Sequence, residues 1–268
     1  MRVTFLGTGT SGGVPSLGCQ CKVCRSSDVR DKRLRSVALV ETSTTRILID
    51  CGPDIRQQLM PLPFKPFDAV LLTHIHYDHV GGIDDLRPFC IFGEINIYAN
   101  RATTDGLRQT MPYCFAQNLY PGVPLLQLHT AEPHRQIVIG DLIVTPIEVM
   151  HGKMPILGYT FAELTDDSHR RADDCPPRLV YITDMKTIDD SELPYIRHAD
   201  TLIVNGLRFK ATHHSHHSAE EACAFAKSIN ARRTFIIHLS HDIGFHAQSA
   251  DRLTDGVSLA YDGLVIDC

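Results

Sequence analysis

Thr73-His74-Ile75-His76-Tyr77-Asp78-His79 follows directly on the apolar run Ala69-Val70-Leu71-Leu72 and leads into Val80-Gly81-Gly82. An apolar run of that length reads as a buried strand, and the polar cluster behind it as a loop at the strand's C-terminal edge. Helical spacing cannot place all four ionisable side chains on one face, whereas a turning loop can aim them at one point. Neutral imidazole and ionised carboxylate are the ligand types that hold zinc, manganese or iron. A solvated, histidine-rich turn would need nothing from the rest of the chain; a metal centre needs distant ligands. The chain offers them in the same place, at strand ends. The apolar stretch 142–149 ends in Met150-His151-Gly152, the stretch 178–182 in Thr183-Asp184, and the stretch 233–237 in His238-Leu239-Ser240-His241. A carboxylate such as Asp184 can serve two cations, one on each oxygen.

Working outward, 268 residues with 43% apolar and 21% charged content suit a single domain over residues 1–268 with a substantial core. A net charge of −5 opposes a broad nucleic-acid footprint, and so a stable nucleic-acid partner. No apolar run reaches the ~20 residues of a membrane span, and the N-terminus reads as a strand and glycine turn rather than a secretion signal. Nine cysteines, an odd count, then point to reduced thiols in the cytoplasm.

Residues 3–6 read as a strand entering Gly7-Thr8-Gly9-Thr10-Ser11-Gly12-Gly13. No Lys-Ser/Thr pair follows, so this is not a nucleotide-binding P-loop; it reads as a tight loop passing close to an active site. Cys19-Gln20-Cys21-Lys22-Val23-Cys24 suits either a zinc knuckle that takes its fourth ligand from elsewhere or three small buried thiols. A hairpin over 36–41 and 46–49 ends in Asp50-Cys51-Gly52-Pro53-Asp54, where Asp54 would cap a helix. Asp50 reads equally as a partner orienting a ligand histidine and as a plain turn former. Residues 111–122 read as an irregular insertion over the site, 165–177 as an exposed loop, and His129 and His134 as solvated loop residues. Near the end, Thr212-His213-His214-Ser215-His216-His217-Ser218 precedes a helix that Ser218 and Glu221 would close with a capping box. Strands and helices succeed one another in the pattern of two β-sheets face to face with helices outside, an αββα sandwich of two similar halves.

The H-x-H-x-D-H loop with His, Asp and His following in order resembles the metallo-β-lactamase superfamily over essentially the full length. Within it, the opening G-T-G-T-S-G-G-V-P and G-C-Q-C-x-x-C resemble the phosphodiesterase branch typified by PhnP. The resemblance implies an α/β, four-layer αββα sandwich with a binuclear centre between the sheets. His74, His76 and His151 would hold one divalent cation and Asp78, His79 and His238 the other, zinc, manganese or iron. Asp184 would bridge them together with a water or hydroxide. A separate structural zinc would sit on Cys19, Cys21, Cys24 and His241. His216 would be the catalytic imidazole, His214 and His217 being the neighbouring register choices, and Asp78 could assist as acid or base. The implied activity is hydrolysis of small phosphodiesters, cyclic nucleotide or ribosyl, by a chain for which a homodimer would be unsurprising. A tRNA 3′-processing endonuclease, a thioester hydrolase and a scaffold that has lost catalysis are the other readings.

Overall fold

Alternation along the strands divides their side chains between an inner core and two outer ones. In the stretch 47–49, Ile47 and Ile49 face inward and Leu48 outward; in the stretch 69–72, Ala69 and Leu71 face inward and Val70 and Leu72 outward. The computed structural model describes residues 1–164, 177–210 and 212–268. The segment 165–176, expected as part of an exposed loop, lies outside the described residues.

Among the described residues there are two seven-stranded sheets. The first orders Val265–Asp267 (β14), Arg2–Gly7 (β1), Val37–Glu41 (β2), Arg46–Ile49 (β3), Ala69–Leu71 (β4), Ile95–Ala99 (β5) and Leu126–Thr130 (β6). The second orders Val257–Leu259 (β13), Arg233–Ile237 (β12), Thr201–Asn205 (β11), Leu179–Ile182 (β10), Met154–Glu163 (β9), Leu142–His151 (β8) and Ile137–Ile139 (β7). Both contain a parallel block, β3 to β6 in one and β10 to β13 in the other. Parallel strands are covered on both faces, which is why 69–72 and 202–204 are apolar without interruption. The inner core joins Val3, Phe5, Ile47 and Leu71 to Tyr159, Phe161, Tyr181 and Ile203 across the sheets. Helices Ile55–Leu59 (α1) and Arg101–Thr110 (α3) cover the first sheet's outer face, and Ala219–Ser228 (α4) the second's. The architecture is the αββα sandwich.

Several local expectations need correction. Asp54 makes no capping bond; its carboxylate accepts from Arg35 N at 2.9 Å and pairs with Arg35 Nη1 at 2.8 Å, the stronger use of a charge beside a guanidinium. His129 is a β6 residue stacked on Tyr98 and bonded to Asn96 at 2.9 Å. His134 stacks on Tyr195 and reaches Glu192 at 2.9 Å. His129 is thus a half-buried strand residue rather than a solvated loop residue, whereas His134 is an exposed turn residue as expected, with an aromatic face and a carboxylate as partners. In the insertion at 111–122, Tyr113 Oη donates to Asp84 at 3.1 Å and Phe115 packs on the outer core of the first sheet. The capping box of Ser218 and Glu221 is formed.

A buried polar knot ties the two ends of the chain together. Arg33, 3% exposed, donates through Nη1 to Thr8 Oγ1 and to Ala260 O, both at 2.7 Å. Thr8 Oγ1 donates to Asp262 at 2.7 Å, and Asp262 also accepts from Leu34 N at 2.6 Å. Burial pushes the Asp262 carboxyl up to about 6 despite these bonds and the nearby guanidinium. Between the ordinary 3.8 and about 6, the folded chain therefore keeps a proton that the unfolded chain has released. The stability that Asp262 contributes falls as pH rises through that window. Carbon-13 NMR should give an Asp262 midpoint near 6, and Asp262→Asn should flatten the stability slope there. A midpoint near 3.8 would show that the bonds to Thr8 and Leu34 outweigh burial.

Candidate metal centre and active site

The strands that carry the expected ligands end at one edge of the sandwich. Asp50 follows β3, Thr73 and His74 follow β4, His151 is the last residue of β8, Asp184 follows β10 and His238 follows β12. Asp50, Asp184 and His238 take left-handed backbone angles, with φ of 63°, 57° and 58°. Non-glycine residues hold such angles at a cost of order 1–3 kcal/mol, and such cost concentrates where side-chain direction matters. The histidine stretch bends at Ile75 and then closes a single helical turn, Tyr77–Val80 (α2), so Asp78 and His79 leave a helix rather than a loop. Gly82 is required here: a Cβ would lie 2.1 Å from Gly52 O. A Cβ on Gly52 would be as tight, 2.1 Å from Asp78 O, so the two glycines let β3's exit loop and the ligand turn pass each other.

Two sets of ligand atoms result, each within 4.8 Å: His74, His76, His151 and Asp184, and Asp78, His79, Asp184 and His238. Asp184 belongs to both. Its Oδ2 lies 3.6 Å from His74 Nε2 and 3.4 Å from His79 Nε2, and its Oδ1 lies 3.0 Å from His238 Nδ1. Among the described residues, His79 Nε2 and His238 Nδ1 are buried without a hydrogen-bond partner even though carboxylate oxygens stand this close. Nitrogen lone pairs and carboxylate oxygens converging without hydrogen-bond geometry form a donor set for a cation. The residues present therefore fit a divalent metal in each group.

The surroundings orient the rings. His79 Nδ1 meets Asp50 Oδ2 at 2.7 Å, and Asp50 also accepts from Thr73 N and Oγ1 at 2.8 and 3.0 Å. Of its two readings, Asp50 thus takes the one of a partner fixing a histidine. His151 directs Nδ1 to the carbonyls of Asp184 and Ser215, at 2.9 and 3.0 Å, which leaves Nε2 for the centre. Burial alone would raise the Asp184 carboxyl, but the imidazoles of His238 and His79 hold it well below the usual range. Burial would lower His79, yet the flanking carboxylates Asp184 and Asp50 hold it well above its ordinary value. Positive charge is thus stabilised at His79, between its carboxylates, whereas burial holds His74 well below its ordinary value.

The four histidines before α4 separate clearly. His217 bonds through Nε2 to Lys186 O at 3.0 Å and packs edge-on to Phe225. His214 is exposed and touches His213; His213 Nδ1 accepts from Ser215 N at 3.3 Å. His216 alone stands over the centre, its ring 4.7 Å from that of His151 and 4.9 Å from that of His238, with a buried Nδ1 that has no partner among the described residues. Burial pushes its pKa down to about 3, so the imidazole is neutral at pH 7. Cys19, Cys21, Cys24 and His241 form a third group, their ligand atoms again within 4.8 Å and His241 Nδ1 3.3 Å from Cys24 Sγ. Reading the sequence did not single out Thr10, whose Oγ1 lies 3.1 Å from His238 Nε2. Its only signal was membership of the glycine loop.

The beta-lactamase superfamily domain model matches residues 45–239. A Porphyromonas gingivalis protein called octanoyltransferase is 42% identical over 265 residues, 98% of this chain and 51% of that protein. The coenzyme PQQ synthesis protein B of Methylorubrum extorquens is 34% identical over 37% of this chain and 39% of its own length. The chain thus spans about half or less of the curated relatives it matches. A diphosphatase of the PhnP family has the same fold with a TM-score of 0.86 at 33% identity, over 100% of this chain and 97% of that one. Zinc-bound PqqB from Methylobacterium extorquens superposes with a TM-score of 0.78 at 21% identity over the full length of both chains. Human short-form tRNase Z does so at 0.71 and 21% identity, over 100% and 99%. Among the described residues no helix is long and apolar enough to cross a membrane.

Proposed function

This chain belongs to the metallo-β-lactamase superfamily as a PhnP-like, metal-dependent hydrolase, and from that premise we propose that it is a phosphodiesterase acting on small cyclic nucleotide or ribosyl phosphodiesters. The observation that carries the reading is His216, a neutral, half-stacked imidazole with a free buried nitrogen, facing two ligand groups that share Asp184. His74, His76 and His151 would hold one divalent cation and Asp78, His79 and His238 the other, with Asp184 available to both; zinc, manganese and iron all suit these donors. Such a pair supplies charge for the phosphate oxygens and an ionised water near neutral pH. The chain's own part is to orient and to move protons. Asp50 and the carbonyls of Asp184 and Ser215 fix the rings of His79 and His151. The negative charge of a bound phosphodiester raises the His216 pKa back towards neutrality, so its imidazole can donate to the leaving oxygen. Asp78 is a ligand first and a secondary acid or base.

The test is turnover of bis-p-nitrophenyl phosphate and of a 2′,3′-cyclic nucleotide with manganese or zinc added. Hydrolysis of neither, with cleavage of a thioester instead, defeats the phosphodiesterase reading. That second reading has one specific support, the 42% identity to a protein called octanoyltransferase, and octanoyl thioester is the substrate to assay beside the others. A net charge of −5 argues against transfer RNA as substrate.

Cys19, Cys21, Cys24 and His241 would hold a structural zinc, which would pin the loop of Cys19 to Cys24 onto the segment following His238. Cys21→Ser should lower Tm by several degrees, at about 2–4 °C per kcal/mol for a chain of this size, without altering the metal content of the His/Asp groups. Unchanged melting together with lost turnover would contradict a structural role.

A further inference from the structure

We infer that Asn205 is a positioning residue whose amide clamps the backbone next to Asp184 and so sets how tightly both cation groups hold metal; the inference rests on the binuclear reading above. The paired residues of β10 and β11 end at Ile182 and Val204. Asn205, the last residue of β11, pairs through its backbone with Ile237 of β12. Its side chain reaches the other way. Oδ1 accepts from Met185 N at 2.8 Å, and Nδ2 donates to Met185 O at 3.0 Å. A backbone N–H only donates and a carbonyl only accepts, so the orientation of the amide is unambiguous. The carboxamide thus stands in for a strand peptide at the point where the chain leaves β10 through Asp184, with its φ of 57°. Asn205 and Met185 are both wholly buried, so water is not at hand to replace either bond.

A buried amide that merely satisfied a turn could sit anywhere in the core. The place of these two bonds gives Asn205 its role. Met185 follows the carboxylate that belongs to both ligand groups. Asp184 O lies 2.9 Å from His151 Nδ1, and Lys186 N donates to Met150 O, beside His151, at 2.7 Å. Met185 O, the acceptor for Asn205, also accepts from His217 N at 3.0 Å and so holds the segment that carries His216. One amide therefore keeps Asp184, the end of β8 and the His216 segment in register. A displacement of Met185 moves Asp184 against both groups at once, so the two cations weaken together.

The experiment compares wild type, Asn205→Ala and Leu142→Ala. Leu142 is buried in the inner core at the start of β8, roughly 30 Å along the strand from His151, so its truncation lowers Tm without reaching the centre. Manganese alone is the probe, because thiolates favour zinc and the His/Asp groups accept manganese. Calorimetric titration should show two manganese sites per chain in wild type and in Leu142→Ala. Asn205→Ala should weaken both by roughly 10–100-fold. Unchanged affinities in Asn205→Ala, or equal weakening in Leu142→Ala, would overturn the inference and leave the binuclear reading standing. Fewer than two sites in the wild type would overturn that reading and the inference with it. Should Asn205→Ala not fold, the wild type alone decides. By reciprocity, cations whose binding depends on the clamp must also hold it shut. Exchange of the Asn205 side-chain amide protons should therefore slow by roughly 10–100-fold on zinc saturation, and an unchanged rate would overturn the inference. Neither readout needs turnover, so a failure of the phosphodiesterase reading is seen separately.

Discussion

His216→Ala is expected to lower kcat for bis-p-nitrophenyl phosphate by roughly 10²–10⁴-fold, the range a positioned acid or base contributes. KM and metal content should change little. The residue touches the centre through ring contacts with His151 and His238 but belongs to neither set of converging ligand atoms, so its loss should leave the cations in place. The leaving group separates its two possible duties. If His216 protonates the departing oxygen, an alkyl phosphodiester with a poor leaving group should suffer far more than p-nitrophenolate, which departs without a proton. If it only stabilises charge on the phosphoryl group, the two should fall alike. His217→Ala is the control: its ring serves Lys186 O and Phe225, so it should cost stability and spare kcat. A fully active His216→Ala would remove the observation on which the functional proposal stands.

The contrast between those two neighbours shows where a sequence stops being readable. His74, Asp184 and His238 stood out because each follows an apolar run, and strands of a parallel block end at a common edge; β8 runs antiparallel to β9, and β9 to β10, so His151 ends at that edge too, and His76 stands two residues beyond His74. The αββα layering followed from the same runs. Choosing among His213, His214, His216 and His217 required backbone facts with no local signature, above all His217 N donating to Met185 O, which turns that residue away and its predecessor inward. Asp50 was ambiguous for a similar reason: a strand-end aspartate caps turns as readily as it orients a ring, and only the 2.7 Å contact with His79 decides. Asp54 was misread because a nearby Arg35, remote in sequence, outcompetes the helix's N–H groups for its charge. Thr10 lay hidden because hydroxyls in glycine loops are common and their partners come from the far end of the chain, here 228 residues away.

Asp184→Asn should be the most damaging single-atom change at the centre. The carboxylate is buried, belongs to both ligand groups, and presents Oδ1 towards His238 and Oδ2 towards His74 and His79. The amide keeps the size but offers one neutral oxygen where two charged ones stood, and places N–H₂ against a ring nitrogen or a cation. Turnover should fall by at least about 10³-fold, beyond the loss of one electrostatic stabiliser, because both halves of a unit are weakened together. Metal analysis should show the active-site content dropping from two cations per chain to one or none, while zinc on Cys19, Cys21, Cys24 and His241 stays. Stability gives an independent reading. Cations that bind only the folded state raise Tm by mass action, so added manganese should raise it clearly in the wild type and little in Asp184→Asn. His79 offers a further check: Asp184 heads the interactions that hold its pKa high against burial, so in the metal-free variant that pKa should fall. A variant that keeps both cations and near-normal turnover would mean that the two groups do not share this carboxylate, and that the centre is assembled differently from its geometry.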